Sequence, residues 1–137
     1  MPDPRRDQRG IIDTSVVIDL EQLDTHQLPI ELAVSAITMA ELAAGPHAAE
    51  EAGERARRQD RLQRAEAVFD PLPFDGEAAR AYGRIYAAEI GRGRKARGSR
   101  ALDLLIAATA CAEDLPLYTR NPEDFDGLHD LVRIVTV

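Results

Sequence analysis

A three-layer α/β/α sandwich around a central parallel sheet is the fold class predicted by this 137-residue sequence. Three observations lead there. Short apolar runs alternate with longer stretches of helical periodicity, the pattern of parallel strands joined by crossover helices. The length is one domain's worth of chain, enough to bury a sizeable core. The hydrophobic fraction of 45% exceeds what a disordered chain carries, while aromatics reach only 4%, so the core must be built from aliphatic side chains and alanine.

Residues 1–9 read as a flexible polar lead-in, and 10–137 as a single domain without repeats or low-complexity tracts. Gly10-Ile11-Ile12 is a short apolar run ending in Asp13-Thr14-Ser15, with Val16-Val17-Ile18 beyond. One long strand is conceivable there. A strand stopping near Asp13, with a helix opening at Thr14 or Ser15, is favoured because hydroxyl residues are good N-caps. Residues 32–37 form a second strand candidate. Thr38-Met39-Ala40-Glu41 has capping-box spacing and opens a helix expected to end near Gly45-Pro46.

Residues 49–68 read as an amphipathic helix with acid-first i,i+4 pairs Glu51/Arg55, Glu54/Arg58 and Asp60/Arg64. Its apolar face comprises Leu62, Ala65, Val68 and Phe69. Pro71–Phe74 is an extended connection, and Asp75 caps a helix over 76–91. After a glycine-rich charged stretch, Ser99 caps an apolar helix running to about Glu113. Leu115–Thr119 is a strand, Asn121-Pro122-Glu123-Asp124 a turn, and Arg133–Val137 the last strand.

Charge and composition exclude several function classes. Seventeen basic residues against 24 acidic ones give −7, which opposes indiscriminate binding to a phosphate backbone. A single cysteine, Cys111, rules out an intramolecular disulfide and a thiolate zinc cluster, and His26, His47 and His129 lack metal-ligand spacing. There is no apolar run long enough to span a membrane and no signal-peptide pattern, so the expected compartment is the cytoplasm, with no membrane partner.

In an open parallel sheet, sites form outside the carboxyl ends of the strands. The first strand delivers Asp13, Thr14 and Ser15 there. The second delivers Thr38 and, a turn later, Glu41. The third delivers Thr119, Asn121 and Asp124, and the helix before it carries Asp103 near its start. Each has an ordinary structural explanation: Asp13, Asn121 and Asp124 as turn formers, Glu41 as a capping-box partner, Asp103 as a complement to the helix dipole. Their gathering on one edge is the informative feature. Clustered carboxylates must take up protons or meet a counter-charge, and a hard cation such as Mg²⁺ or Mn²⁺ accepts oxygen ligands. Such a site suits metal-dependent phosphoryl chemistry.

Ile12-Asp13-Thr14-Ser15, Thr38-Met39-Ala40-Glu41-Leu42, Leu102-Asp103-Leu104-Leu105-Ile106-Ala107-Ala108 and Leu117-Tyr118-Thr119-Arg120-Asn121-Pro122-Glu123-Asp124-Phe125 together resemble the PIN-domain nucleases. More narrowly, the chain is similar to the VapC toxins of bacterial toxin–antitoxin pairs, from Gly10 onward and with four motifs in order. The resemblance implies a PIN-like sandwich and a Mg²⁺-dependent endoribonuclease, with Mn²⁺ as a substitute, that hydrolyses RNA phosphodiester bonds with a metal-activated water. It implies a cognate VapB-like antitoxin, a homodimer and a higher toxin–antitoxin assembly. By resemblance, Asp13 and Asp103 are direct metal ligands and Glu41 completes an acidic triad, while Thr14 and Thr119 border the site. Many PIN domains carry an acid where this chain has Asn121. Either Asp124 takes that catalytic role, or Asn121 orients a water or a phosphate.

Arg92, Arg94, Lys95, Arg97 and Arg100 put five positive charges and no acid into residues 92–100, leaving −12 on the rest of the chain. The segment is either a solvated loop or an RNA-phosphate anchor beside the helix bearing Asp103. Apolar surface on the 38–44 helix would suit an antitoxin or a second copy. The alternative function is a catalytically weak subunit that mainly binds an antitoxin within a DNA-binding repressor complex. A small-molecule phosphohydrolase fits the basic segment less well.

Overall fold

Four short strands, β1 (Arg9–Ile12), β2 (Glu31–Ala33), β3 (Leu117–Thr119) and β4 (Ile134–Thr136), form one sheet in a computed structural model that describes residues 6–94 and 97–137. All pairings are parallel, in the order β2-β1-β3-β4. Ile11 lies opposite Ala33 and Leu117, and Ile12 opposite Tyr118. From β1 the chain first builds outward to β2, then crosses back to add β3 and β4. The switch point of the sheet therefore lies between the carboxyl ends of β1 and β3, where a parallel sheet opens a crevice.

The pleat sends alternate residues to opposite faces. On one face Ile11, Ala33 and Leu117 pack with Ala81, Ile85, Leu104 and Phe125, beneath helices α4 (Gly76–Gly91) and α5 (Ser99–Glu113). On the other, Ile12, Val34 and Tyr118 pack with Val16, Leu42 and Leu62, beneath α1 (Thr14–Ile18), α2 (Ala36–Ala48) and α3 (Ala52–Val68). These are the three predicted layers. Fully buried Ala81, Ala107, Ala108 and Ala110 make the core as alanine-rich as the aromatic-poor composition requires. No helix among the described residues is long and apolar enough to cross a membrane.

Several boundaries differ from expectation for physical reasons. Of the expected lead-in, residues 1–5 lie outside the described residues, Arg9 opens β1, and the carbonyls of Asp7 and Gln8 accept from Ile30 and Glu31. α1 opens at Thr14, as expected, with Asp13 rather than a hydroxyl residue as its cap: the Asp13 Oδ1 accepts the N–H of Val16 at 3.1 Å. The second strand is confined to 31–33, because Ser35 caps α2 by accepting the Thr38 N–H at 3.1 Å. Thr38 is thus inside the helix and Glu41 closes no capping box. Gly98, with φ of +60°, precedes α5, so Ser99 is its first residue rather than its cap.

α2 runs through Pro46 to Ala48. Arginines of α3 satisfy its last carbonyls: Arg58 donates to Gly45 O at 2.9 Å, and Arg55 to Pro46 O at 3.3 Å and Ala49 O at 3.0 Å. Arg55 is thereby diverted from Glu51, whereas Glu54–Arg58 and Asp60–Arg64 form as expected, each at 3.0 Å. Thr38 and Leu42 turn one side of α2 into the core, while Ala40, Ala43 and Ala44 of that helix and Val68 of α3 are exposed.

Candidate active site

Asp13 follows β1 directly, at the switch point, and is only 5% exposed. Its N–H donates to Tyr118 O at 3.0 Å, which ties it to β3. Its Oδ1 accepts from Val16 N–H and from the Ser15 hydroxyl at 2.6 Å. Ser15 in turn accepts the N–H of Arg120 at 3.1 Å and lies 3.5 Å from Thr119 Oγ1. The first turn of α1 and the end of β3 therefore hold one carboxylate jointly. Burial pushes Asp13 above the usual carboxylate range, against the hydrogen bonds from Ser15, Thr119 and Val16.

Glu41 reaches the same edge from α2. The Thr14 hydroxyl donates to its Oε1 at 2.8 Å, and Thr38 Oγ1 lies 3.2 Å from Thr14 Oγ1. Burial raises the Glu41 carboxyl, the bond from Thr14 opposes this, and the charge of Asp13 raises it further. Asp103, in the second turn of α5, is half-buried and pushed up to about 7. Burial is the largest cause, followed by the charges of Asp124, Glu41 and Asp13; Arg100 opposes them. Four acids from four elements thus act on one another.

Asp124 sits in a 3-10 turn, Pro122–Phe125, and among charged neighbours it acts most strongly on Asp103. Asn121 is exposed; its backbone N–H donates to Thr119 Oγ1 at 3.0 Å. Of the two, Asp124 is the one whose charge bears on Asp103. The donor set is all oxygen, and the charges of Asp124, Glu41 and Asp13 bear on the half-buried Asp103 carboxyl, opposed by Arg100. That chemistry fits a hard divalent cation. Among the described residues, no three acid, His or Cys side chains stand grouped for one ion, so a bound cation would have to draw the carboxylates inward.

The basic segment is largely paired with acids. Arg92 meets Asp126 at 3.0 Å; Arg94 lies 3.8 Å from Asp126 and donates to Glu123 O at 3.4 Å. Arg100 is paired with Glu89, Arg97 is exposed, and Lys95 lies outside the described residues. Sequence reasoning passed over Arg120, whose guanidinium pairs with Asp19 at 3.0 Å; its place directly after β3 was the available signal. It also passed over Glu89, an acid on the buried stripe Ala78, Ala81, Ile85 of α4. A groove of about 360 Å³ lies apart from the acids, between α1 and α3, lined by Val17, Leu20, Leu32, Ala65 and Phe69 among others.

A doubly anchored acidic cluster at the switch point of a four-stranded parallel sheet defines a class, and residues 11–129 match that class as the PIN domain. The chain belongs to the PIN-domain family. Within it, the chain is 38% identical over 122 residues to Ribonuclease VapC5 of Mycobacterium tuberculosis, covering 87% of each. It is 30% identical over 131 residues to Ribonuclease VapC of Rickettsia bellii, covering 93% of this chain and 95% of that one. It superimposes on a chain of the VapBC-5 toxin–antitoxin crystal structure from M. tuberculosis with a TM-score of 0.79 and 35% identity, covering 95% of this chain and 99% of that one.

Proposed function

We propose that this chain is the endoribonuclease toxin of a VapBC-type toxin–antitoxin pair, hydrolysing RNA phosphodiester bonds with the help of Mg²⁺, or Mn²⁺ in its place. The observation that carries the reading is the acidic cluster around Asp103, where burial first, and then the charges of Asp124, Glu41 and Asp13, push one acid up to about 7. Similarity to ribonucleases VapC and to a VapBC complex supports the RNA substrate and a VapB-like antitoxin partner. A homodimer within a larger assembly, acting in the cytoplasm, completes the reading.

Asp13, Asp103 and Glu41 would hold the cation, with Asp124 close by. Bound there, the ion would supply an activated water and offset charge on the phosphodiester. The chain's own residues prepare the site. Ser15 and Val16 fix the orientation of Asp13, and Thr14 orients Glu41, so two of the donors start from defined positions before a cation draws the set together. Thr119, buried at the end of β3, supports the Asp13–Ser15 pair and the turn through Asn121.

Purified protein given bulk bacterial RNA and Mg²⁺ tests the proposal. Cleavage that EDTA abolishes and Asp13→Asn removes is the expected result. An inert wild-type chain that still binds an antitoxin on DNA would favour the alternative of a repressor subunit.

A further inference from the structure

Glu89 is fully buried, at 0% exposure, on the otherwise apolar face of α4. Its counter-charge comes from Arg100, in the first turn of α5. Arg100 Nε lies 2.9 Å from Oε2 and its second terminal nitrogen, Nη2, 3.4 Å from Oε1. Withdrawing a carboxylate from water costs several kcal/mol even when it is paired, and an apolar pair of equal volume serves a core at least as well. Stability of the core alone therefore does not account for the pair.

Its position does. Arg100 stands one helical turn before Asp103 and, among the described residues, is the one cation among the charges that act on it. Arg92 and Arg94 of the same segment turn instead toward Asp126. Glu89 occupies the Nε–Nη2 edge of the guanidinium. A guanidinium has five N–H donors in a rigid fork, so the Nη1 edge keeps two that Glu89 does not use. The Arg100 side chain remains 21% exposed. Held by Glu89 at one edge and still partly exposed, it can present donors as well as neutralise an acid.

We propose that Glu89 is a positioning residue, which fixes Arg100 so that its Nη1 edge takes a phosphate oxygen of the RNA backbone beside Asp103. This deepens the ribonuclease reading and rests on it. Glu89 touches no RNA itself. It offsets the cost of ordering a long side chain at the rim of the site, so that ordering is not charged to RNA binding. Arg97, with no such anchor among the described residues, would contribute less.

The test is steady-state cleavage of bulk bacterial RNA in Mg²⁺ by full-length wild type, Glu89→Gln, Arg100→Lys, Arg100→Met and the double variant Glu89→Met/Arg100→Met, with a thermal melt of each. Loss of one charge-assisted contact corresponds to roughly tenfold in KM. Glu89→Gln, Arg100→Lys and Arg100→Met are each expected to raise KM by about that factor with kcat nearly unchanged. The double variant should melt cooperatively near wild type, because the buried charges leave together. Its KM should match that of Arg100→Met alone. A double variant with wild-type KM, an unchanged KM in Glu89→Gln, or failure of the double variant to fold would overturn the proposal and make the pair structural. A wild-type chain that neither cleaves nor binds RNA would instead overturn the functional reading itself, and this proposal with it.

Discussion

The Thr14 hydroxyl donates to Glu41 Oε1 over 2.8 Å and so joins the first turn of α1 to the middle of α2. Glu41 belongs to the acidic cluster only because this bond, from the residue next to Asp13, aims it there. Removing the donor should leave the fold intact while loosening the carboxylate. Thr14→Val is expected to lower RNA cleavage by roughly 10- to 100-fold, the usual effect of losing a partner that orients a metal ligand. Thr14→Ser should restore most of it, and a comparison of the three rates at saturating Mg²⁺ checks this.

Asp103 gives a pH signature. Its folded carboxyl sits at about 7, well above its ordinary value of 3.8. The folded state therefore holds a proton that the unfolded state has released between those values, so this residue makes metal-free stability fall as pH rises from about 4 to 7. In EDTA, Asp103→Asn should melt at nearly the wild-type temperature at pH 4 and progressively above it up to neutrality. Melting curves over that range decide the matter; a constant difference between the two proteins would contradict the assignment.

Divalent cation should act through the same group. Mg²⁺ that binds the folded chain alone must raise its melting temperature, increasingly with concentration. Asp103→Asn should blunt that rise at pH 7.5, and monovalent salt at equal ionic strength should not reproduce it. Thermal melts across a Mg²⁺ series read this without any RNA present.

Gly10 tests the sheet rather than the site. A Cβ at this position would come 2.8 Å from Tyr118 Cε1, in the register between β1 and β3 that pairs Ile12 with Tyr118 just before Asp13 and Thr119. Gly10→Ala is expected to destabilise the fold by about 1–3 kcal/mol through overpacking. Urea unfolding gives the value, and Tyr118→Phe, which keeps the ring, should not relieve it.

The order of elements was legible because apolar runs and helical stretches alternate cleanly, and Asp75 announces α4 without a competitor; its Oδ1 accepts the Ala78 N–H at 3.0 Å. Helix starts were less legible. Asp13, Thr14 and Ser15 are all good caps, as are Ser35 and Thr38, and only strand pairing decides which one ends extended. The carboxylates could be found because strand ends collect polar residues whatever their partners. The pairing of the arginines could not. Whether Arg92 meets RNA or Asp126, and whether Arg55 meets Glu51 or the carbonyls of α2, depends on neighbours distant in sequence. The acid at 89 continues the helical spacing of Ala78, Ala81 and Ile85, but a glutamate is ordinarily exposed unless paired, and its partner Arg100 lies on another helix.

The central claim is that the cluster around Asp13 and Asp103 performs metal-dependent RNA cleavage, and Asp13→Asn tests it most directly. Asn caps a helix as well as Asp does, so α1 and the fold should survive while a charged ligand is lost. Cleavage ends mapped on bulk RNA in Mg²⁺ should appear with wild type and vanish with Asp13→Asn at unchanged melting temperature. Cleavage by the folded variant at the wild-type rate would contradict the account.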